Sequence, residues 1–270
     1  MKRTWTWVRR ITQGVVLAVF LATLTGWRGV TGNLSSSRVL GFTLADPLAV
    51  LQIFLAQHRI LPVLLPAAGV TLLMYWLLGG RTFCGWVCPV NTLLEGVDAI
   101  RKRFYLPDTK LGVFTKYWVL IIILAVSVLS GIPAFETVSP IGILMRNLLF
   151  GFGWSFLGIV ILIGFELTVS RRGFCRYLCP LGAFYGLIGR ISPLQLRFNT
   201  FRCINCGECE AVCPMGEAPL SNALAGQATR IDGAECIKCM LCLEVCPTQT
   251  ITPGFGLVRT VETEKHQVKI

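Results

Sequence analysis

The chain has 270 residues, of which 54% are hydrophobic and only 14% charged, and its formal net charge is +11. Because soluble domains carry about 25% charged residues, this composition and the mean hydropathy of +0.66 argue against an ordinary soluble domain and predict a membrane protein. The basic excess is then typical of cytoplasmic loops, and no nucleic-acid partner is expected.

Four stretches without a charged residue are long enough to be predicted as membrane-spanning helices. In chain order they are Ile11–Trp27, Ile60–Gly80, Tyr117–Phe135 and Asn147–Phe165. The first is the shortest, and a cleaved signal peptide is its alternative. A shorter apolar run, Pro47–Gln57, predicts a surface or re-entrant helix, with Asp46 as its cap and proline at its first position.

Basic residues predict the orientation of these stretches. Lysine and arginine are concentrated at the N-terminus, after the second stretch and after the fourth, whereas the opposite loops hold few. Since cytoplasmic loops are enriched in these residues, the N-terminus and the C-terminal tail are both predicted on the cytoplasmic side of a bacterial inner membrane.

An internal repeat links the second and fourth stretches. Residues Arg81–Val90 recur as Arg172–Leu181, with the arginine, phenylalanine, both cysteines and proline conserved between the copies. Each copy contains C-x-x-x-C-P, which places Cys84 and Cys88 in box one and Cys175 and Cys179 in box two. The proline after each second cysteine predicts a helix end there. Two such hairpins often build one shared site.

The chemistry of the box cysteines is open at the level of sequence. They could converge on a further metal or cluster, act as thiol–disulfide pairs, or line a pocket close to a quinone. The alternative without chemistry is that they are small, buried packing residues.

The composition becomes more polar after Arg190, which divides the chain into two predicted domains. Residues 1–190 are predicted to form an all-α transmembrane domain of two repeated hairpins with both boxes. Residues 191–270 are predicted to form a small α+β domain of the bacterial two-cluster ferredoxin type, because this segment contains two C-x-x-C-x-x-C-x-x-x-C-P runs.

In such runs the first three cysteines bind one [4Fe-4S] cluster and the fourth, which we expect at a helix start, binds the other. The first set is therefore predicted to be Cys203, Cys206, Cys209 and Cys246, and the second set Cys236, Cys239, Cys242 and Cys213. Structural zinc commonly uses separated C-x-x-C pairs, and disulfides are disfavoured on the cytoplasmic side. The boxes and the two sets account for all 12 cysteines.

Two further residues could handle protons. Glu166, at the end of the fourth stretch, could relay protons, although an ion pair with Arg171 or Arg172 is the favoured alternative. His58 could accept a proton from a quinol, but a solvated loop histidine is the simpler interpretation.

The combination of two boxes and two ferredoxin runs resembles the NapH-type ferredoxin-like membrane subunits, the quinol dehydrogenase component associated with periplasmic nitrate reductase, and the related MauN-type proteins. The similarity extends to Gly32–Ser37, Leu44–Leu48 and Leu181–Gly186. The resemblance implies a subunit that carries electrons from quinol toward a periplasmic reductase, with nitrate reductase as the expected acceptor, and that has no reductase active site of its own.

The resemblance also implies partners. These are the membrane lipid and its quinone pool, a periplasmic iron–sulfur subunit and a membrane-anchored multihaem cytochrome. The alternative function is an assembly or maturation factor of a redox enzyme, which would use its thiols and clusters to deliver metal or reduce a partner.

Overall fold

A computed structural model describes residues 4–22, 30–32, 36–39, 42–58, 62–104, 108–151 and 153–256. The chain forms two compact units. We call residues 9–74 and 83–184 the helical unit, and residues 1–8, 75–82 and 185–270 the tail unit. Some of the predicted features lie partly outside the described residues. These are the end of the first hydrophobic stretch, residues 59–61 at the start of the second, residues 33–35 of the NapH-like loop, and the chain after residue 256.

Helices dominate the first two thirds of the chain. They are α1 (Thr4–Leu21), α2 (Pro47–Gln57), α3 (Leu64–Leu78), α4 (Thr82–Trp86), α5 (Pro89–Arg103), α6 (Thr115–Ser130), α7 (Ala134–Val138), α8 (Pro140–Phe150) and α9 (Phe156–Thr168), followed by a π-helical turn (Phe174–Leu178) and α10 (Pro180–Ile191). A three-stranded antiparallel sheet of β1 (Val30–Gly32), β2 (Ser36–Val39) and β3 (Phe42–Ala45) precedes α2.

The prediction of four transmembrane helices is wrong. Within the residues that the structure describes, none of the helices combines the length and the apolar character needed to cross a membrane. The inner-membrane location and the orientation that we derived from these helices are overturned by the same finding.

Glycines with positive φ angles mark where the helices of three of the long apolar stretches end or are interrupted. The second stretch ends at Gly79 and Gly80, which have φ angles of 112° and 71°. The third is broken where α6 ends at Gly131 in the left-handed conformation. The fourth is split between α8 and α9, since Gly151 has a φ of 88°. Positive φ angles end a helix, and glycine adopts them at little cost.

The local helix signals in the sequence were more reliable than hydropathy. A helix does span Pro47–Gln57, and the Asp46 carboxylate accepts a hydrogen bond from the Leu48 amide at its start. Cys88 and Cys179 have extended backbones, with ψ angles of 118° and 112°, so both boxes do end a helical segment at the second cysteine.

The tail unit is built around a two-stranded antiparallel sheet of β4 (Leu194–Phe198) and β5 (Ile251–Phe255). Short helices α11 (Glu208–Val212), α12 (Ser221–Leu224) and α13 (Leu241–Val245) lie between the strands in sequence. Leu196 and Leu220 are 1% exposed and form part of its core. The fourth cysteines of the two runs were expected at helix starts, but Cys213 and Cys246 instead follow the ends of α11 and α13.

Candidate iron–sulfur and thiol sites

The cysteines of the first set surround one cavity of the tail unit. Its lining contains Cys203, Cys206, Cys209 and Cys246, so the last cysteine of the second run lies beside the first three of the first run. The sulfur of Cys246 accepts a hydrogen bond from the Thr250 amide at 3.3 Å. Burial opposes the effect, but this bond and those of the Thr248 and Thr250 hydroxyls lower the pKa of the Cys246 thiol below its ordinary value.

The cysteines of the second set lie close enough to interact electrostatically. Burial raises the pKa of the Cys242 thiol well above its ordinary value, and Cys236, Cys239, Cys213 and Cys209 raise it further. Two of these neighbours, Cys213 and Cys209, come from the first run, so cysteines of both runs lie near Cys242. Burial and Cys239 raise the pKa of Cys236 to about 11.

Each set fits a [4Fe-4S] cluster by its chemistry. Thiolates are the usual ligands of such clusters, and hydrogen bonds to their sulfurs are part of the site. Backbone amides of Asn205 and Lys238 donate to the sulfurs of Cys203 and Cys236 at 3.5 and 3.4 Å. In the described part of the chain, no three Cys, His, Asp or Glu side chains are arranged to hold a single metal ion. A cubane binds each thiolate through a different iron atom, so its ligands need not converge on one point.

The four box cysteines are brought together in the helical unit. Burial raises the pKa of Cys175 well above its ordinary value, and the neighbouring Cys179, Cys88 and Cys84 raise it further. None of the four forms a disulfide, and Cys88 and Cys179 are buried. The Cys179 sulfur accepts a hydrogen bond from the Gly182 amide at 3.3 Å. The repeat therefore brings the four box thiols within electrostatic range of one another.

Glu166 holds the backbone at the start of box two. Its carboxylate accepts hydrogen bonds from the amides of Gly173 and Phe174 at 3.0 and 2.8 Å. Burial raises the pKa of Glu166 to about 7, against the opposing effect of these amides and of Arg172 and Arg101. The glutamate thus caps the turn that carries Cys175. His58, the other candidate for proton handling, is the exposed residue that ends α2.

Three arginines at box two form ion pairs or hydrogen bonds with other residues of the helical unit. Arg171 forms an ion pair with Asp98 at 2.6 Å, and Arg176 pairs with Asp108 at 3.1 Å. Arg172 donates to the side-chain oxygen of Asn91 at 2.6 Å. Since Asn91 lies on α5, which begins directly after box one, this bond connects the two copies of the repeat.

The arginine of the first copy has different partners. Arg81 lies in the tail unit, where it donates to the carbonyls of Ala234 and Glu235, next to Cys236. The sequence marks Arg81 only as the counterpart of Arg172 in the repeat. Its partners could not be predicted, because they lie more than 150 residues away. Burial lowers the pKa of the nearby Lys238 to about 8, so the lysine is still mainly cationic at pH 7.

The helical unit also has an apolar cavity of about 480 Å³. It is lined by side chains of α2 and α3 and by Phe184. Phe184 belongs to α10, the helix that begins directly after Cys179. The volume lies within the range of about 300–1,000 Å³ that is typical of small-molecule sites.

Family models match the chain in both of its parts. One described as a 4Fe-4S binding domain matches residues 60–107 and 150–199, which include the two boxes. Another, described as a 4Fe-4S dicluster domain, matches residues 195–247. No solved structure matches the chain.

Curated relatives cover most of the chain. The methylamine utilization ferredoxin-type protein MauN of Methylorubrum extorquens is 40% identical over 77% of this chain and 74% of its own length. The ferredoxin-type protein NapH of Haemophilus influenzae is 34% identical, over 88% of this chain and 85% of its own. For NapH of Escherichia coli the identity is 33%, over 92% and 88%.

The cysteine sets and these matches define a ferredoxin-type electron-transfer protein that binds [4Fe-4S] clusters. More specifically, the chain belongs to the family of NapH and MauN ferredoxin-type proteins. The predicted resemblance is confirmed.

Proposed function

We propose that the protein carries electrons from quinol to a partner reductase, with nitrate reductase as the acceptor system. The observation that carries the proposal is the grouping of cysteines in the tail unit: Cys203, Cys206, Cys209 and Cys246 line one cavity, and Cys242 has four other cysteines close enough to act on it electrostatically. When bound there, [4Fe-4S] clusters accept and release single electrons. The residues of the chain supply the thiolates, the hydrogen bonds to the sulfurs and the exclusion of water.

The first and second sets are our proposed ligands, within a cluster-binding domain of residues 191–270. The exchange of Cys213 and Cys246 between the runs is supported by two observations. Cys246 lines one cavity with Cys203, Cys206 and Cys209, and Cys213 acts electrostatically on Cys242, as Cys209 also does. Sharing ligands in this way makes both clusters part of one folded domain. Loss of either fourth cysteine is therefore expected to disturb the set that it joins in space.

Quinol is the proposed electron donor, and the apolar cavity of the helical unit is its proposed site. The cavity is lined by apolar side chains such as Leu51, Phe54 and Leu72, which would pack against the apolar body of a quinol. Ala68 is a buried residue of the lining, and a larger side chain at this position would fill the cavity.

The acceptor is proposed from the relatives. NapH similarity implies a periplasmic iron–sulfur subunit and a multihaem cytochrome as partners, and nitrate as the terminal substrate. The MauN relatives are named for methylamine utilization. A strain that lacks the gene should therefore be tested for growth on nitrate and on methylamine in parallel. A defect confined to methylamine would contradict the nitrate assignment.

The donor is tested with purified protein under anaerobic conditions. Reduced quinol is added together with the partner subunits, and the clusters are followed by their visible absorption and by paramagnetic resonance at low temperature. We expect quinol to reduce the clusters, and Ala68→Trp to slow that reduction. If quinol leaves the clusters oxidised while dithionite reduces them, the proposed donor is wrong.

A second candidate function, maturation of a redox enzyme, is favoured by the convergence of the four box thiols. Such a site could pass metal or reducing equivalents to a client protein. Replacement of Cys84 or Cys175 by serine separates the two functions. If electron flow from quinol continues with both tail clusters intact while the client enzyme stays immature, the maturation function is correct.

A further inference from the structure

A smaller apolar cavity of the helical unit lies beside box one, and we call it the α8 cavity. Its volume is about 240 Å³, half that of the cavity lined by α2 and α3, which we call the α2 cavity. Side chains of α1, α5 and α8 line it, together with Val87 and Pro89, the two neighbours of Cys88. Phe20 of α1 and Met145 of α8 belong to one buried core cluster and form part of its wall. The α8 cavity is therefore bounded by packed residues and reaches the end of box one.

The internal repeat relates the α8 cavity to the α2 cavity. Cys84 matches Cys175 at an offset of 91 residues, and the same offset brings Leu93 to Phe184. Leu93 lines the α8 cavity, whereas Phe184 lines the α2 cavity. Both residues lie in the helix that begins directly after the second cysteine of a box, which is α5 for Leu93 and α10 for Phe184. One wall of each cavity is thus formed by equivalent positions of the repeat.

Another wall of each cavity also comes from matching elements. Helices α2 and α8 begin with Pro47 and Pro140, and each precedes the helix that leads to the box of its own half. The first lines the α2 cavity and the second lines the α8 cavity. Each cavity therefore combines the proline-started helix of one half with the helix after the box of the other half. Since internal repeats often form their binding sites at the interface between the halves, we expect the two cavities to accept ligands of one class.

Gln13 gives the α8 cavity a polar group. This residue lines the cavity and is 7% exposed, and its amide nitrogen donates a hydrogen bond to the Gly85 carbonyl of box one at 3.2 Å. None of the described residues donates a hydrogen bond to the Gln13 amide oxygen, which can therefore accept one from a ligand. Apart from Thr92, the other residues of the lining are apolar. An apolar wall with one placed acceptor suits a ring that carries a hydroxyl group, whereas a plain hydrocarbon chain has no donor for it.

We propose that the α8 cavity is a second quinol-binding site. The proposal rests on the proposed function, because it takes the α2 cavity as the site of the quinol donor. The apolar wall packs against the quinol ring, and the Gln13 oxygen accepts a hydrogen bond from a ring hydroxyl. The Gly85 carbonyl holds the Gln13 amide in place for this bond. A volume of about 240 Å³ lies just below the range of about 300–1,000 Å³ typical of small-molecule sites, so we expect the cavity to hold the ring and not a long tail.

The test counts the quinol molecules that bind to the full-length chain. Protein loaded with iron under anaerobic conditions is first reduced with dithionite, so that its clusters do not consume quinol. It is then titrated in a calorimeter with menadiol, a naphthoquinol without a tail. We expect about two molecules per chain, one in each cavity. Leu93→Trp fills the α8 cavity and Ala68→Trp fills the α2 cavity, so each variant should bind about one molecule and the double variant none.

Gln13→Leu tests the hydrogen bond in the Ala68→Trp background, where the α8 cavity is the remaining site. Loss of the acceptor should weaken menadiol binding about tenfold. Ile100→Trp is the matched control for Leu93→Trp, because it places the same side chain on an exposed position of α5 and should bind as the wild type does. Octanoate is an acyl chain that has no hydrogen-bond donor at pH 7, and it should not displace menadiol from the α8 cavity.

The inference is overturned if Leu93→Trp binds as much menadiol as the wild type, if Gln13→Leu binds it with unchanged affinity, or if octanoate displaces it. If Leu93→Trp lacks its full iron content, Leu144→Trp, which fills the same cavity from α8, decides in its place. Failure of the proposed donor gives a different result, because the clusters are reduced before the titration and binding is measured without electron transfer from quinol. Two bound molecules that do not reduce oxidised clusters would refute the donor and leave the second site standing.

Discussion

Glu166 is expected to make the stability of the helical unit depend on pH. The residue is 2% exposed, and its carboxyl group accepts hydrogen bonds from the amides of Gly173 and Phe174. Burial raises its pKa from the ordinary value of 4.5 to about 7, against the opposing effect of those amides. Since one pKa unit corresponds to about 1.4 kcal/mol, the full effect is about 3 kcal/mol.

The direction of this pH dependence follows from the linkage between proton binding and folding. A carboxyl whose pKa is higher in the folded than in the unfolded state binds its proton more tightly when folded. Its contribution to stability is complete below the unfolded value of 4.5 and is lost as the pH rises through about 7. The helical unit should therefore lose on the order of 3 kcal/mol of this contribution between pH 4 and pH 8. Because Glu166 is buried, solvent screens its charge only weakly, and the contribution of about 3 kcal/mol is reduced little.

Glu166→Gln is the variant that isolates the effect, because glutamine has similar shape and does not titrate. Urea unfolding of the wild type and the variant, measured from pH 4 to pH 8, should show a stability difference that changes by about 3 kcal/mol in favour of the variant at high pH. The infrared band of the protonated carboxyl group, obtained as the difference between wild type and variant, should titrate near pH 7. A pH-independent difference in stability, or a band that titrates near 4.5, would refute the reasoning.

Three other predictions concern the tail unit and the cavity. Cys213→Ser should remove or alter the resonance signal of the cluster bound by the second run and leave the other; loss of the first run's cluster alone would contradict the exchange of ligands. Ala68→Trp should slow reduction by quinol at least tenfold at unchanged iron content, and unchanged kinetics would show that the cavity is not the donor site. Gly80→Ala should destabilise the tail unit by more than about 1 kcal/mol in urea unfolding, because Gly80 has a φ of 71° and its Cβ would overlap the backbone of Gly189. Gly96→Ala, on the open side of α5, is the matched control and should be neutral or slightly stabilising.

Hydropathy gave a wrong prediction for the helices. Hydropathy averages the apolar character of a stretch and does not report backbone conformation. A helix ends where a residue adopts a positive φ angle, as Gly131 and Gly151 do. The predictions made from local sequence features, namely helix capping and proline, were correct. The helix start at Asp46 and the extended backbones of Cys88 and Cys179 follow from capping and proline sterics, which need no tertiary context.

The sequence by itself determined the kind of cofactor, because the spacing of the tail cysteines is a local property that suits thiolate ligands of a cubane. Only the tertiary structure decided what surrounds those cysteines. Arg81 and Arg172 stand at the same position of one repeat, yet Arg172 binds Asn91 and Arg81 binds the residues before Cys236. Similar local sequences cannot choose between such partners, since the choice depends on which distant segment each arginine packs against.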